Sequence, residues 1–451
     1  MLGISTNFVS GVAPGISLWG TTALRPQEFC AFRGRLGRSR GSQEARMPSS
    51  YAKPEFTLPR IRAILKYRSR NCAVMGKTPP KRPRPRAALR RPVDKILASY
   101  DPSKLTIATI GSHTGLQIFH GARLEGFKSL GIVLQKKKRV YDAFPRARPD
   151  DYLTLVNSYK ELLDHQDELI ARNTILVPHG SFVEYVGARL IAKELKVPVF
   201  GNKASMEWES DRKIERRWLK MAGCKVPRIY KDPSEIDGPC IIKYYGAKGG
   251  KDFFIVTNAE DFYKKIKRRH LEDKTFTIQE FVIGARYYHQ MFYTPLSKKA
   301  WPAGRGSVEL MGIDRRIESN IDELHRFGFT REEMDDAGIV RSFVVTGNEP
   351  MVVRESLLDR VFEMAAGVVD TSIELFDPGL IGPFCLETIL TPELEFYVFE
   401  ISARIVAGTN LYPVGSPYTP YTHGVAMSTG RRVAREIKKA AALGRLGDVC
   451  S

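Results

Sequence analysis

Glu387 and Glu400, near the C-terminal end of the 451-residue chain, have the types and spacing that could hold a metal ion. The runs Phe384-Cys385-Leu386-Glu387-Thr388 and Phe399-Glu400-Ile401-Ser402-Ala403-Arg404 are apolar and β-prone, and they flank Thr391-Pro392-Glu393-Leu394-Glu395, which is a hairpin pattern. A symmetric turn sets Glu387 opposite Glu400 on one face, with side-chain roots about 5 Å apart. Two carboxylates that close need positive charge between them, and hard oxygen ligands beside a Ser and an Arg suit Mg²⁺ carrying nucleotide phosphates. The plain alternative is an exposed hairpin with two solvated acids. The surrounding Phe, Leu, Ile, Val and Tyr argue against it, because buried unpaired carboxylates are costly.

Other residues could take part in phosphate chemistry. Residues 240–256 read as two strands joined by a loop carrying Gly246, Lys248, Gly249 and Gly250, with Lys243 on the first strand. Glycine lets backbone approach phosphate oxygens, and lysine supplies countercharge. No helix opening with Lys-Ser or Lys-Thr follows, so this is not a Walker loop. Residues 276–282 form a strand with Glu280 near its end, followed by Phe281 and Val282. Two Gly-flanked turns, Gly111-Ser112-His113 and His179-Gly180-Ser181, each follow a short apolar strand, where N–H groups and short polar side chains can cradle an anion. A single His in such a place is more often a capping or packing residue; two similar turns favour binding. The run Lys136-Lys137-Lys138-Arg139 reads as a solvated loop, with phosphate attraction the lesser reading. Phosphate chemistry of this kind needs no Ser-His-Asp or Cys-His arrangement, and the sequence shows no zinc-type ligand spacing.

These groups need elements to position them. From about residue 93 strands and helices alternate: strands at 105–110, 127–134, 174–178 and 198–200, helices at 114–124, 152–162 and 183–195. Such alternation implies a parallel sheet with helices on both faces, binding ligands beyond the carboxyl ends of its strands. A helix at 212–222 precedes the glycine-rich hairpin, and a strand at 287–293 follows it.

The formal charge of +20 belongs to one end of the chain. Residues 1–92 hold nineteen Lys or Arg against three Glu, which is +16 of the total. With Gly, Ser and Pro clusters they offer no periodic apolar face and read as a basic, disordered extension, with a targeting presequence or an RNA-binding segment as the other readings. A mis-assigned translation start is a further reading, with Met47 or Met75 as the later candidates. No apolar run approaches the roughly 18 residues of a membrane helix. Six scattered cysteines fit reduced thiols in a cytoplasmic protein.

In chain order the pieces are a strand lysine, a glycine-rich hairpin, an acid-bearing strand end and two paired acids, the second in Glu-x-Ser-x-Arg. Together they resemble the ATP-grasp superfamily, in which two α+β lobes clamp ATP and Mg²⁺ and a carboxylate is activated as an acyl phosphate. The usual second metal motif there is Glu-x-Asn-x-Arg, and Ser402 stands at the Asn position. Within that superfamily, Ile107-Ala108-Thr109-Ile110-Gly111-Ser112-His113, Val177-Pro178-His179-Gly180-Ser181-Phe182, Arg316-Ile317-Glu318-Ser319-Asn320-Ile321-Asp322, Arg354-Glu355-Ser356-Leu357-Leu358 and Ile381-Gly382-Pro383-Phe384-Cys385-Leu386 resemble the archaeal PurP family of formate-dependent 5-formaminoimidazole-4-carboxamide ribonucleotide synthetases. The resemblance runs from about residue 93 to the C-terminus, with 298–307 an apparent insertion.

The resemblance implies an α/β and α+β chain. An N-terminal parallel-sheet (pre-ATP-grasp) domain would span 93–205, a small lobe with the glycine loop 206–283, and a large lobe with the metal site 284–451. It implies a purine-synthesis ligase in which ATP phosphorylates formate and the amine of aminoimidazole carboxamide ribonucleotide attacks the formyl phosphate. His113, Ser181 and Asn320 would contact that ribonucleotide. Lys243, Gly246, Lys248, Gly249, Gly250, Glu280, Phe281 and Val282 would line the ATP site. Glu387 and Glu400 would hold Mg²⁺ or Mn²⁺, and Lys248 and Arg404 would balance charge on the transferred phosphoryl group. A homo-oligomer, with a hexamer as the suggested state, is also implied. Two other readings stand beside it: an ATP-grasp ligase for another small carboxylate and amine, and a non-catalytic nucleotide- or RNA-binding protein using the basic tail.

Overall fold

The computed structural model describes residues 91–244, 253–340, 342 and 344–451, so most of the basic extension and the glycine-rich loop at 245–252 lie outside the described residues. Arg91 and Pro92, grouped with the extension by composition, open the first helix, and Arg91 reaches both Asp94 and the carbonyl of Gly447.

Strands β1 (Thr106–Ile110), β2 (Lys128–Leu134), β3 (Asp151–Leu155) and β4 (Thr174–Leu176) form a parallel sheet in the order β3-β2-β1-β4. β1 and β2 are near-continuous apolar runs because both faces of the sheet are covered. The helix Gly115–Leu124 covers one face and crosses the C-terminal helix Thr429–Ala442 at Gly121 and Gly430. A Cβ on Gly430 would stand 2.3 Å from the carbonyl oxygen of Gln117, so only glycine permits this approach.

Two expectations need correction here. The predicted helix at 152–162 is instead β3 followed by a 3₁₀ turn, Tyr159–His165. Tyr152, Leu155, Tyr159 and Leu162 have helical spacing, but Leu153 and Leu155 are buried by pairing of β3 with β2, and that alternation wins. The helix expected at 183–195 is broken at Gly187, whose φ of +102° separates a π-turn, Phe182–Val186, from the helix Ala188–Lys193.

Strands β5 (Ile229–Tyr230), β6 (Cys240–Tyr244), β7 (Phe254–Val256) and β8 (Phe276–Glu280) form a small antiparallel sheet in the order β5-β8-β6-β7. Ile242, Phe254 and Ile278 pack with Phe262 and Ile266 of the helix Ala259–Arg268. The pairing of β6 with β7 is the expected hairpin.

Strands β9 (Ala285–Thr294), β10 (Trp301–Ala303), β11 (Gly306–Glu318), β12 (Val345–Pro350), β13 (Gly382–Leu390) and β14 (Phe396–Ser402) form the largest sheet. Its order is β10-β11-β9-β13-β14, with β12 paired to the far end of β11. Residues 298–307 hold β10, the turn at 304–305 and the start of β11, with Trp301 stacked on Phe362 at a ring-centroid distance of 5.3 Å. One face of the sheet, with Met291, Ile313, Leu386 and Ile401, packs on Val361, Ala365 and Val368 of the helix Leu358–Leu375. Among the described residues Cys224, Cys240, Cys385 and Cys450 are buried free thiols, and no helix is long and apolar enough to cross a membrane.

Candidate active site

The opposite face of the large sheet is polar. Asp314, Tyr288, Glu387 and Glu400 stand in one row across β11, β9, β13 and β14, and Gly312, Gln290, Cys385 and Ser402 form the next. Residues of a row share a face, so the expected juxtaposition of Glu387 and Glu400 is present. It is not produced by a symmetric turn. Near the turn Leu390 pairs with Phe396 and Thr388 with Val398, a register that would put Phe399 opposite Glu387. A one-residue shift between Glu387 and Thr388 leaves Phe399 unmatched and brings Glu400 across.

Each acid has its own arginine. Arg316 on β11 donates to Glu387 Oε1 at 2.5 Å and lies over the Tyr288 ring at 4.1 Å. Arg212, at the start of the helix Arg212–Met221, contacts Glu400 Oε2 at 2.7 Å. Ser402 Oγ also donates to Glu387 Oε1, at 3.2 Å. Glu387 is buried, yet its Oε2 has no hydrogen-bond partner, whereas the Glu400 side chain is 29% exposed. Burial, then the Glu400 charge, push the Glu387 carboxyl up against the pull of Arg316. Among the described residues no cluster of three or more His, Cys, Asp or Glu could hold a metal. The two acids alone nevertheless fit one: a buried carboxylate oxygen without a partner, facing a half-exposed carboxylate, is a donor set that a divalent cation with solvent or phosphate oxygens completes.

β14 is an edge strand, and helix carboxylates cover its outer N–H groups. Ile401 N–H donates to Glu215 Oε1 at 2.8 Å, and Ala403 N–H donates to Glu209. Burial pushes Glu215 up to about 8, and it raises Glu209 too. Arg404 Nε lies 3.3 Å from Glu209 Oε1, an ion contact without hydrogen-bond alignment. Arg212, Glu209 and Glu215 did not stand out by sequence, since each arrives from a distant element. Only the Arg at the head of the segment Arg316-Ile317-Glu318 carried a local signal.

Just past β14 the chain meets the parallel sheet. Ile405 pairs with His179, and Gly180 N–H donates to Ile405 O at 3.2 Å. A Cβ on Gly180 would lie 3.1 Å from His113 Nε2 and 3.6 Å from Arg404 Cζ, so the two sequence-identified turns and Arg404 come together there. His113 adopts a left-handed backbone, φ +46°. Burial, then the charges of Arg404 and Arg316, hold its imidazole down at about 4. His179, fully buried, stacks on His113 at 5.4 Å; its Nε2 donates to Ile110 O at 3.0 Å, while Nδ1 accepts Ser181 N–H at 3.3 Å. Ser181 Oγ bonds Ser112 Oγ at 3.1 Å. A cavity of about 950 Å³ opens from Gly111, Ser112 and His113. Lys136 and Lys137 line it from the 3₁₀ turn after β2, where both are exposed as a solvated segment would be.

The remaining candidates are dispersed. Asn320 follows β11, and its carboxamide is held by Val340 O at 2.7 Å and Ser342 N–H at 2.6 Å. Lys243 on β6 reaches Gln279 Oε1 at 3.3 Å; solvent touches its side chain, yet crowding by protein, then the Arg212 charge, lower its pKa. At the end of β8 Glu280 Oε2 accepts Arg228 N–H at 2.7 Å. Phe281 N–H is taken by Pro239 O at 2.9 Å, so Phe281 can offer a ligand its carbonyl but not its N–H. Val282 next to it is half-buried. Gly246, Lys248, Gly249 and Gly250 lie outside the described residues.

Comparison with known proteins gives this geometry a family. Two family models match, described as a protein of unknown function, DUF1246, over residues 107–230 and a domain of unknown function, DUF1297, over 258–451. The 5-formaminoimidazole-4-carboxamide-1-(beta)-D-ribofuranosyl 5'-monophosphate synthetase of Methanothrix thermoacetophila is 52% identical over 357 residues, 79% of this chain and 98% of its own length. The chain belongs to this synthetase family. A synthetase of the same name from Korarchaeum cryptofilum is 48% identical over 361 residues, 78% of this chain and 96% of its own. Among solved structures, an IMP biosynthesis protein PurP from Thermococcus kodakaraensis is 26% identical with a TM-score of 0.57, covering 76% of this chain and all of that one. The synthetase thus has the ATP-grasp fold, with the parallel sheet of β1–β4 ahead of the two antiparallel sheets.

Proposed function

We propose that the protein is an ATP- and formate-dependent ligase that formylates 5-aminoimidazole-4-carboxamide ribonucleotide to the 5-formamido ribonucleotide in purine biosynthesis. Family membership at 52% identity across nearly the whole length of a relative carries this reading, and the facing pair Glu387 and Glu400 gives it a chemical centre. Formate is a poor acyl donor because its oxygen leaves badly. Transfer of the γ-phosphoryl group of ATP to that oxygen gives formyl phosphate and ADP; attack of the 5-amino group at the formyl carbon then expels phosphate, and the amine loses a proton.

In this reading Glu387, through Oε2, and Glu400 would hold Mg²⁺ or Mn²⁺, which supplies charge neutralisation of the polyphosphate when bound. Arg404, beside the His113 turn, balances charge on the transferred group, with Lys248 of the glycine loop. His113 and Ser181 contact the ribonucleotide, and Asn320 does so or braces the 340–342 segment that does. Lys243, Glu280, the carbonyl of Phe281 and the backbone of Val282 line the ATP site with Gly246, Gly249 and Gly250. We assign 93–205, 206–283 and 284–451 as the three structural parts, a homo-oligomeric state, and a cytoplasmic location consistent with the buried free thiols. Formyl phosphate hydrolyses readily, so this chemistry needs a site that excludes water.

The test is ADP release from ATP and Mg²⁺ with formate and the ribonucleotide added singly and together, and mass analysis of products. ADP formation that needs both, with a formyl group gained by the nucleotide, is the expected result. ATP binding without formyl transfer would overturn the substrate assignment.

A further inference from the structure

Arg404 stands where the two halves of the site meet. After burial, its charge is the main influence holding the His113 imidazole down, and on the other side it opposes the rise that burial imposes on Glu387. The backbone around it is fixed. Ser402, two residues before, donates to Glu387 Oε1 at 3.2 Å, and Ile405, the next residue, pairs with His179. The side chain needs an anchor of its own, because a long arginine has many rotamers to lose.

The acid beside it is Glu209, one residue from the end of the helix Lys203–Ser210. That helix is held down along its length. Asn202 caps it by accepting Ala204 N–H at 3.1 Å, Met206 is buried, and Trp208 packs on Phe376 with ring centroids 5.3 Å apart. The Glu209 side chain is 5% exposed, and its two oxygens have separate tasks. Oε2 accepts the Ala403 N–H, while Oε1 lies 3.3 Å from Arg404 Nε without hydrogen-bond alignment. With one oxygen spent on the strand, Glu209 cannot grip the guanidinium as a two-pronged pair. It fixes the charge and leaves N–H groups of the fork for a ligand. The guanidinium also borders Gly180, where a Cβ would lie 3.6 Å from Arg404 Cζ.

Capping the edge strand would not by itself need a charge. An amide oxygen would accept the Ala403 N–H equally well and would avoid burying a carboxylate. Glu215, which caps the same strand at Ile401, makes the comparison. Burial pushes Glu215 up, and the strongest influence against that rise is the Ile401 N–H. Burial raises Glu209 as well, but there the strongest opposing influence is the Arg404 charge, ahead of the Ala403 N–H.

We propose that Glu209 is the positioning residue of Arg404, a buried carboxylate that aims the guanidinium at the transferred phosphoryl group while pinning the outer edge of β14. Glu209 acts through Arg404 and touches no substrate. The proposal rests on the ligase reading for the reaction that Arg404 serves.

The experiment compares the full chain with Glu209→Gln, Arg404→Met and the double variant. Gln keeps the volume and an oxygen for the Ala403 N–H while removing the charge. Glu209→Gln is expected to lower kcat about 10- to 100-fold, with KM for ATP within about two-fold of the parent, as loss of a transition-state interaction gives. On the Arg404→Met background the same change should alter kcat by less than about two-fold, because the group it directs is gone. Equal losses of kcat on both backgrounds would overturn the proposal, and so would a Glu209→Gln variant that raises KM for ATP at the parent's kcat. Urea unfolding of the same four proteins does not depend on turnover, and the effects of the two substitutions on stability should not add. If the parent shows no formyl transfer, the ligase reading fails separately, and additive effects in urea would still overturn the pairing of Glu209 with Arg404.

Discussion

Glu400 faces Glu387 because Phe399 is left out of the β13–β14 ladder. The bulge turns an acid that would otherwise sit one place off into a partner, and bulges of this kind commonly re-aim a functional side chain. Glu400→Gln keeps the volume and the strand while removing the charge. Turnover is expected to fall about 100-fold or more, on the scale of losing an electrostatic stabiliser. Far-ultraviolet circular dichroism should be unchanged, and calorimetric titration with Mn²⁺ should show weakened binding. Full activity at saturating Mg²⁺ would remove Glu400 from the metal site.

Arg316 tests the other half of the pair. It contacts a carboxylate that is almost completely buried, so Arg316→Met leaves that charge uncompensated. A loss of about 3–5 kcal/mol is expected in urea unfolding. Adding Glu387→Gln should recover much of it, because the variant then buries a neutral amide beside an apolar chain. A double variant no more stable than the single one would show that Arg316 contributes by packing on Tyr288 and not by charge.

What sequence could reach here was local. The hairpin, the paired acids, the Gly-flanked turns and the glycine-rich loop between β6 and β7 are all encoded within short windows. The register of Glu387 and Glu400 came out as expected, but through a bulge that no propensity at Phe399 announces. The pairing of arginines with the acids was illegible, even with Arg316 marked by its motif, since Arg212 and Arg316 reach the row from a helix and a strand far from residues 387–400 in the chain. The same limit applied at 152–162, where Leu153 and Leu155 obey the pairing of β3 with β2 rather than the helical spacing of their neighbours. Asn320 was marked by its motif, yet its carboxamide is engaged by a segment more than twenty residues later than β11.

His113 occupies a left-handed backbone that Asn tolerates better than most residues, so His113→Asn is a cleaner probe than alanine. The variant is expected to raise KM for the ribonucleotide by about ten-fold while ATP is little affected, the cost of roughly one hydrogen bond to a charged or polar ligand group. Steady-state kinetics with each substrate varied in turn measures this. Equal increases for both substrates would take His113 out of the nucleotide site.

Glu215 gives a pH prediction with a definite sign. It is buried beneath β14, accepts the Ile401 N–H, and is raised from the ordinary 4.5 to about 8. The folded protein therefore holds this proton more tightly than the unfolded chain does. Its effect on stability is neutral below the ordinary pKa, grows unfavourable as pH rises from 4.5 toward 8, and stays constant above. Glu215→Gln keeps an oxygen for the Ile401 N–H and abolishes the titration. The variant should match the parent in unfolding free energy near pH 5 and exceed it at pH 8.5 by on the order of 1–3 kcal/mol, read from urea curves across that range. Parallel curves for the two proteins would mean that Glu215 is ionised in the fold, with Arg212, 3.5 Å away, as its counterion instead of a proton.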